Sequence, residues 1–312
     1  MQKSRLCLFM ILGVVVIVSL SLGRWFDSRC DKGCLQSVLH NSFANVGNDF
    51  STKLGDFHVD SDEENDEVSS GSSTLADLPA LDGITVIHVK SVATDWVVNQ
   101  TAETFALSLS SQKHKDRVVV AKKGSTLTIE IKANGPKQAE LSLPIKFIGK
   151  LELGTVSGDI HVSSKLALAA LKLDTASGDL KLEGWPRDAL EINTVSGNVQ
   201  STADEPIMAK TIQFQSVSGD LKAHISEGFQ SFTAHTVSGT VRLKLPKALA
   251  FVYKLHAISG DFMGMPKGGD LKDGFGNKDL KGTFGVNPQS RVEFESVSGD
   301  FELDQADSLG SR

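Results

Sequence analysis

Seven Ser-Gly pairs recur in the second half of the chain, and their spacing limits the fold more than any other feature. The corners are Ser157-Gly158-Asp159, Ser177-Gly178-Asp179, Ser196-Gly197-Asn198, Ser218-Gly219-Asp220, Ser238-Gly239-Thr240, Ser259-Gly260-Asp261 and Ser298-Gly299-Asp300. Successive serines lie 20, 19, 22, 20, 21 and 39 residues apart, and the last interval is close to two periods, as if one copy were diverted. The flanking residues keep phase. Six before each serine stand Leu151, Leu171, Leu190, Ile212, Phe232, Tyr253 and Val292; three after stand Ile160, Leu180, Val199, Leu221, Val241, Phe262 and Phe301. Polar residues such as Glu152, Lys172 and Glu191 alternate with them. Period-2 alternation places each apolar set on one strand face. Each repeat is therefore a strand, a tight corner and a second strand, and the glycine answers a demand for positive φ or for close stacking.

One such unit cannot bury its apolar face alone. Stacking units at about 4.8 Å aligns like residues into ladders around a continuous core. The expected fold class is all-β: a single-stranded parallel β-solenoid, or β-helix, of about 20-residue coils. A sandwich of antiparallel hairpins is the alternative, but it has no reason to hold so regular a turn spacing.

The residue after each glycine is usually Asp. As a row, these side chains could bind cations or a charged glycan. As structure, they accept backbone N–H bonds in the turn, which is the preferred reading. A mildly basic row, His161, Lys181, Gln200, Lys222 and Arg242, runs along the second strand and ends at Met263 and Glu302; it is expected to be a solvated face. His235 and His256 hold equivalent outward positions and are expected to be neighbours, too few ligands for zinc. No cofactor and no metal are expected.

Before the repeats, a short all-β lead-in runs from Ile84, with alternating sets such as Phe105, Leu107 and Leu109 or Leu127, Ile129 and Ile131. Further upstream, Asp60, Asp62, Glu63, Glu64, Asp66 and Glu67 precede a Ser/Gly run, Ser69 to Ser73. Like charges and nothing to bury mark a flexible linker over 24–80, without the glycine-centred loop of a calcium hand. At the N-terminus, Lys3 and Arg5 precede an uncharged apolar run from Leu6 to Leu22. Residues 1–23 are read as a signal-anchor or transmembrane helix, with a cleaved signal as the alternative. Export would leave the β-domain (81–305) extracytoplasmic on a single-pass membrane protein, ending in a disordered tail, 306–312. Cys30 and Cys34 could then form a disulfide, within one chain or between two copies, which leaves a homo-oligomer open.

With the repeats laid out, the chain resembles the toastrack-type, adhesin-like family of β-solenoid proteins found in bacterial envelopes. The residues that carry the resemblance are Leu141-Ser142-Leu143-Pro144, the corners such as Thr155-Val156-Ser157-Gly158-Asp159, and the ending from Leu245-Pro246 through Leu280-Lys281-Gly282-Thr283-Phe284-Gly285 to Val297-Ser298-Gly299-Asp300. Asn198 and Thr240 depart from the Asp pattern, which puts a shared metal role in doubt. The resemblance implies adhesion and supplies no catalytic residues.

No Gly-x-Ser-x-Gly elbow, His-Glu-x-x-His helix or phosphate loop occurs, and corner carboxylates repeated in nearly every copy indicate a fold requirement, not an active site. The formal net charge of -6 gives no basic field for nucleic acid. The expectation is a non-catalytic, membrane-tethered envelope protein that presents the solenoid to a protein or polymer partner. A self-assembling structural element is the alternative, and a polysaccharide-active enzyme is a remoter one.

Overall fold

The computed structural model describes residues 73–75, 78–102, 105–163, 166–201, 206–266, 270–274 and 277–306. The expected signal-anchor, most of the linker, the cysteine pair and nearly all of the expected tail lie outside the described residues. Among those described, the chain forms a 12-stranded and an 11-stranded sheet, with a short 3-10 helix at Gln112–Arg117. No described helix is long and apolar enough to cross a membrane.

The parallel β-solenoid is present. Each coil of the repeat gives one strand to each sheet, and in seven of them a Ser-Gly corner lies between the two. The strands before the corners stack in the order Thr126–Ile131, Val86–Lys90, Lys150–Thr155, Ala170–Thr175, Ala189–Thr194, Thr211–Ser216, Ser231–Thr236, Ser290–Ser296, Phe251–Ala257. Register is held without slip: Leu151 pairs with Leu171, Leu171 with Leu190, Leu190 with Ile212, and Ile212 with Phe232. Parallel pairing throughout this stack rules out the hairpin sandwich, in which neighbouring strands would run antiparallel.

The alternation explains the core. In Lys150–Thr155 the odd residues Leu151, Leu153 and Thr155 are buried and the even ones are partly exposed. Across from them, Ile160 and Val162 close the interior from the second sheet. Leu168, Trp185, Ile207, Ala209, Ile225 and Phe229 line the remaining side, where an isolated parallel bridge links Ile207 and Ile225. The interior grows more aromatic toward the C-terminal end, where the rings of Phe294 and Phe301 lie 5.3 Å apart.

At both ends the order in space departs from the order in sequence. Thr126–Ile131 stacks outside Val86–Lys90, and the chain then returns to the other side as Lys150–Thr155. The buried Gln100 side chain fastens this return by donating to the carbonyls of Pro144 (3.0 Å) and Phe147 (2.7 Å). At the far end Phe251–Ala257 takes the outer place and continues into an antiparallel excursion, Asp270–Gly274 and Asn277–Phe284. The chain then comes back as Ser290–Ser296, between Ser231–Thr236 and Phe251–Ala257. This accounts for the 39-residue interval: the diverted stretch covers the edge of the outer strand by antiparallel pairing, and an uncovered edge would template association. Upstream, strand Ser73–Leu75 lies within the stretch expected to be linker and pairs with Ala106–Leu109.

Candidate functional site

The corners recur in coil after coil, and three polar rows run through them. The first row is buried. Two residues before each corner serine, Thr155, Thr175, Thr194, Ser216, Thr236 and Ser296 each accept a hydrogen bond from the N–H of their own corner glycine, at 2.6–3.2 Å. The second row is the corner serines. Ser157, Ser177, Ser196, Ser218, Ser238, Ser259 and Ser298 each donate to a carbonyl of the adjoining coil, at 3.2–3.4 Å.

The third row is the Asp position, and it links coils instead of closing its own turn. Asp159 accepts from Asp179 N (2.8 Å), Asp179 from Asn198 N (2.8 Å), Asn198 from Asp220 N (3.3 Å), Asp220 from Thr240 N (2.8 Å), and Asp300 from Asp261 N (2.8 Å). A carboxylate oxygen facing a backbone N–H suits this task, and the amide oxygen of Asn198 serves as well.

The glycines answer close stacking alone. Gly158, Gly178, Gly197, Gly219, Gly239, Gly260 and Gly299 are absent from the positive-φ residues. A Cβ on Gly178 would lie 1.9 Å from the Gly158 carbonyl oxygen, and one on Gly219 would lie 2.1 Å from that of Gly197. The expected need for positive φ does not hold; the coils simply pass too close for a methyl group.

An additional corner escaped the sequence pattern. Ser91-Val92-Ala93-Thr94-Asp95 occupies the same place in the first coil in sequence, where the Trp96 indole N–H donates to Ser91 Oγ (2.9 Å) and Asp95 accepts from Asp159 N (3.0 Å). Thr94 stands where the other corners have glycine, and its hydroxyl donates to Pro136 O (2.9 Å). The signal available was Asp95 followed by buried Trp96. The hydroxyl row also stands in the sequence at a constant offset from the corner serine, but its burial is shown by the structure.

The outer faces carry paired charges. His88 Nε2 lies 2.9 Å and Lys150 Nζ 2.6 Å from Glu152, which hold its carboxyl down at about 2 against partial burial, His88 contributing most. Lys181 and then His161 lower Glu183, and His235 lowers Glu295. In the expected basic row, Lys181 and His161 thus share Glu183, and Arg242 pairs with Glu302 at 2.8 Å. His235 and His256 are not neighbours, because the returning strand sets Glu295 between them, and His256 contacts Asp279 at 2.9 Å. Among the described residues no group of three or more His, Cys, Asp or Glu is arranged to hold a metal ion.

A family model described as Toastrack DUF4097 matches residues 84–205 and 147–304. No curated protein matches the chain. A candidate adhesin from Bacteroides fragilis is 15% identical, with 75% of this chain and 98% of that one covered at a TM-score of 0.42. A candidate lipid binding protein from Parabacteroides distasonis is 13% identical, with 76% and 94% covered at 0.36. A candidate cell adhesion protein from Clostridium sporogenes is 12% identical, with 76% and 99% covered at 0.32.

Proposed function

Because the chain belongs to the Toastrack DUF4097 family, we propose that it works as a non-catalytic bacterial envelope module, tethered to a membrane by residues 1–23, which holds a rigid β-solenoid outside the cytoplasm for a protein or envelope polymer to bind. The observation that carries this reading is the use of the corner polar groups. Hydroxyls, carboxylates and glycines recur in coil after coil as links within the stack, so they are tied to architecture and not gathered at one reacting centre. Catalysis needs a base, a nucleophile or an acid converging on one substrate position. A rigid surface with repeated spacing suits multivalent contact instead.

Crosslinking and pull-down from the native membrane fraction test the proposal. A discrete protein partner favours a scaffold, and retention by purified envelope polysaccharide favours adhesion. Hydrolysis of that polysaccharide by the purified chain would overturn the non-catalytic reading. The tether is tested by a high-salt wash of membranes, after which recovery of a soluble chain starting near Arg24 would mean a cleaved signal.

One observation favours self-assembly as a second reading. Strand Val118–Lys123 is the last of the 12-stranded sheet, and Val119 on it is 40% exposed. Edge pairing would then build filaments, although Lys122 and Lys123 guard that edge. Sedimentation of the purified chain over a range of concentrations distinguishes the two.

A further inference from the structure

Charge is distributed unevenly along the solenoid. Residues 112–137 contain seven Lys and Arg against two Asp and Glu, whereas 78–111 contain one against three and 138–306 contain seventeen against twenty-one. The fold gathers the basic stretch at one end of the stack. Gln112–Arg117 leads into Val118–Lys123, the last strand of the 12-stranded sheet. Lys132 N–H donates to Arg117 O (2.9 Å) and Ser110 N–H to Gln138 O (3.0 Å), which draws the 132–137 corner into the same end. Lys113, Lys115, Lys122, Lys123, Lys132 and Lys137 are all exposed there, with Asp116 and Glu130 as the acids of the stretch. Exposed Val119 lies among them.

The same end receives the chain from its N-terminal side. Strand Ser73–Leu75, through which the chain enters the solenoid, is the last strand of the 11-stranded sheet, beside Ala106–Leu109. The excursion at the opposite end, 270–284, has three Lys against three Asp.

We infer that this basic end is a docking surface for an anionic phospholipid bilayer, the one that the N-terminal apolar segment anchors in. The inference rests on the membrane-tether reading and adds an orientation to it. Lysines close to a negatively charged leaflet are attracted within roughly a Debye length, about 8 Å at physiological salt. On the tether reading the solenoid stays attached to the bilayer, so contacts of the basic end with it form at a raised effective concentration. The opposite end and the central coils then face away from the bilayer.

The test uses the full chain reconstituted in vesicles of phosphatidylglycerol and phosphatidylcholine in equal parts, or of phosphatidylcholine alone. An amine-reactive reagent is followed by peptide mapping at Lys113, Lys115, Lys122 and Lys123, with exposed Lys222 on a central coil as the internal reference. In anionic vesicles the four lysines are expected to label about tenfold more slowly than in neutral ones, as for a docked state favoured roughly ten to one. High salt should abolish the difference, and Lys222 should not change. A combined Lys113→Gln, Lys115→Gln, Lys122→Gln and Lys123→Gln variant, checked for an unchanged melting temperature, should lose the matching protection of Lys132 and Lys137.

Equal labelling in the two kinds of vesicle overturns the inference, as does protection by added soluble polyphosphate but not by vesicles. If the chain washes out of all vesicles at high salt, the tether has failed by itself. The surface then stands only if low-salt co-sedimentation carries the wild type, and not the quadruple variant, with anionic vesicles.

Discussion

A methyl group on Gly219 would put a carbon 2.1 Å from the Gly197 carbonyl oxygen, and more than an ångström of separation is needed to relieve the clash. The opposing atom is backbone on a neighbouring coil, so no side-chain rotation can absorb it. Opening the two coils at that corner stretches four hydrogen bonds: Ser218 N to Val195 O (2.9 Å), Val199 N to Asp220 O (2.8 Å), Ser218 Oγ to Val195 O (3.3 Å) and Asp220 N to Asn198 Oδ1 (3.3 Å). At a net value of about 0.5–1.5 kcal/mol each, Gly219→Ala should cost about 2–6 kcal/mol. For a unit of this size that corresponds to a melting temperature lower by about 5–20 °C. Gly228→Ala is the control, since nothing lies within 4 Å of its added carbon and its φ is not positive. It should stay within about 0.5 kcal/mol of the wild type. Thermal unfolding followed by circular dichroism compares the two. If Gly219→Ala melts within about 2 °C of the wild type, or if both variants fall equally, close approach of the coils is not what excludes side chains from these corners.

The remaining predictions concern the polar rows. Thr194→Val removes the buried acceptor of Gly197 N–H and should cost about 1–3 kcal/mol in a chemical denaturation midpoint, whereas Ala257→Ser supplies the hydroxyl which that coil lacks and should raise the midpoint. Asp220→Asn keeps an acceptor for Thr240 N and should be nearly neutral, while Asp220→Ala should cost about 1 kcal/mol; a large calcium-dependent stabilisation lost in the asparagine variant would instead mark the row as a cation site. Glu152 is held at about 2 against an ordinary value of 4.5, so its contribution is complete above about pH 4.5 and fades as pH falls toward 2. Glu152→Gln should therefore flatten the acid-unfolding curve of the solenoid in that window, by much less than the full shift implies because solvent screens the half-exposed pair, and an unchanged pH profile would refute the assignment.

Much of this architecture was legible because one constraint repeats. Parallel stacking forces every coil to put the same kind of residue at the same height, so Leu151, Leu171 and Leu190 announce one another in the sequence. The hydroxyl row was present in the same pattern at Thr155, Thr175 and Thr194, but polar residues beside a turn are ordinarily read as solvated, and only the structure shows them buried. The first coil was hidden because its corner has Thr94 in place of glycine, and its outer neighbour makes a wider corner that tolerates the side chain. Order in space was the least legible feature. Periodicity reports which residues are equivalent, not which coils adjoin, so His235 and His256 looked like neighbours until Ser290–Ser296 came between them. The charge of residues 112–137 was visible as composition, but its gathering at one end depends on pairings between distant segments.

The final coil has a consequence for how the protein comes into being. Ser290–Ser296 and Phe301–Ala306 are the last described strands to be synthesised, yet they fill an interior place, with Phe294 and Phe301 fully enclosed. A nascent solenoid can add coils in the order in which they emerge, but not this one, because its outer neighbour Phe251–Ala257 is made first. Until residues 290–306 arrive, the coil ending at Pro246 and the outer strand either stand apart or meet in a wrong pairing that must reopen. A chain cut short before Ser290 would thus leave a gap where aromatic side chains belong, not merely a shorter stack. The closing step makes the presence of residues 290–306 a condition of a continuous core, so folding of the C-terminal coils waits on strands that are made after their outer neighbour.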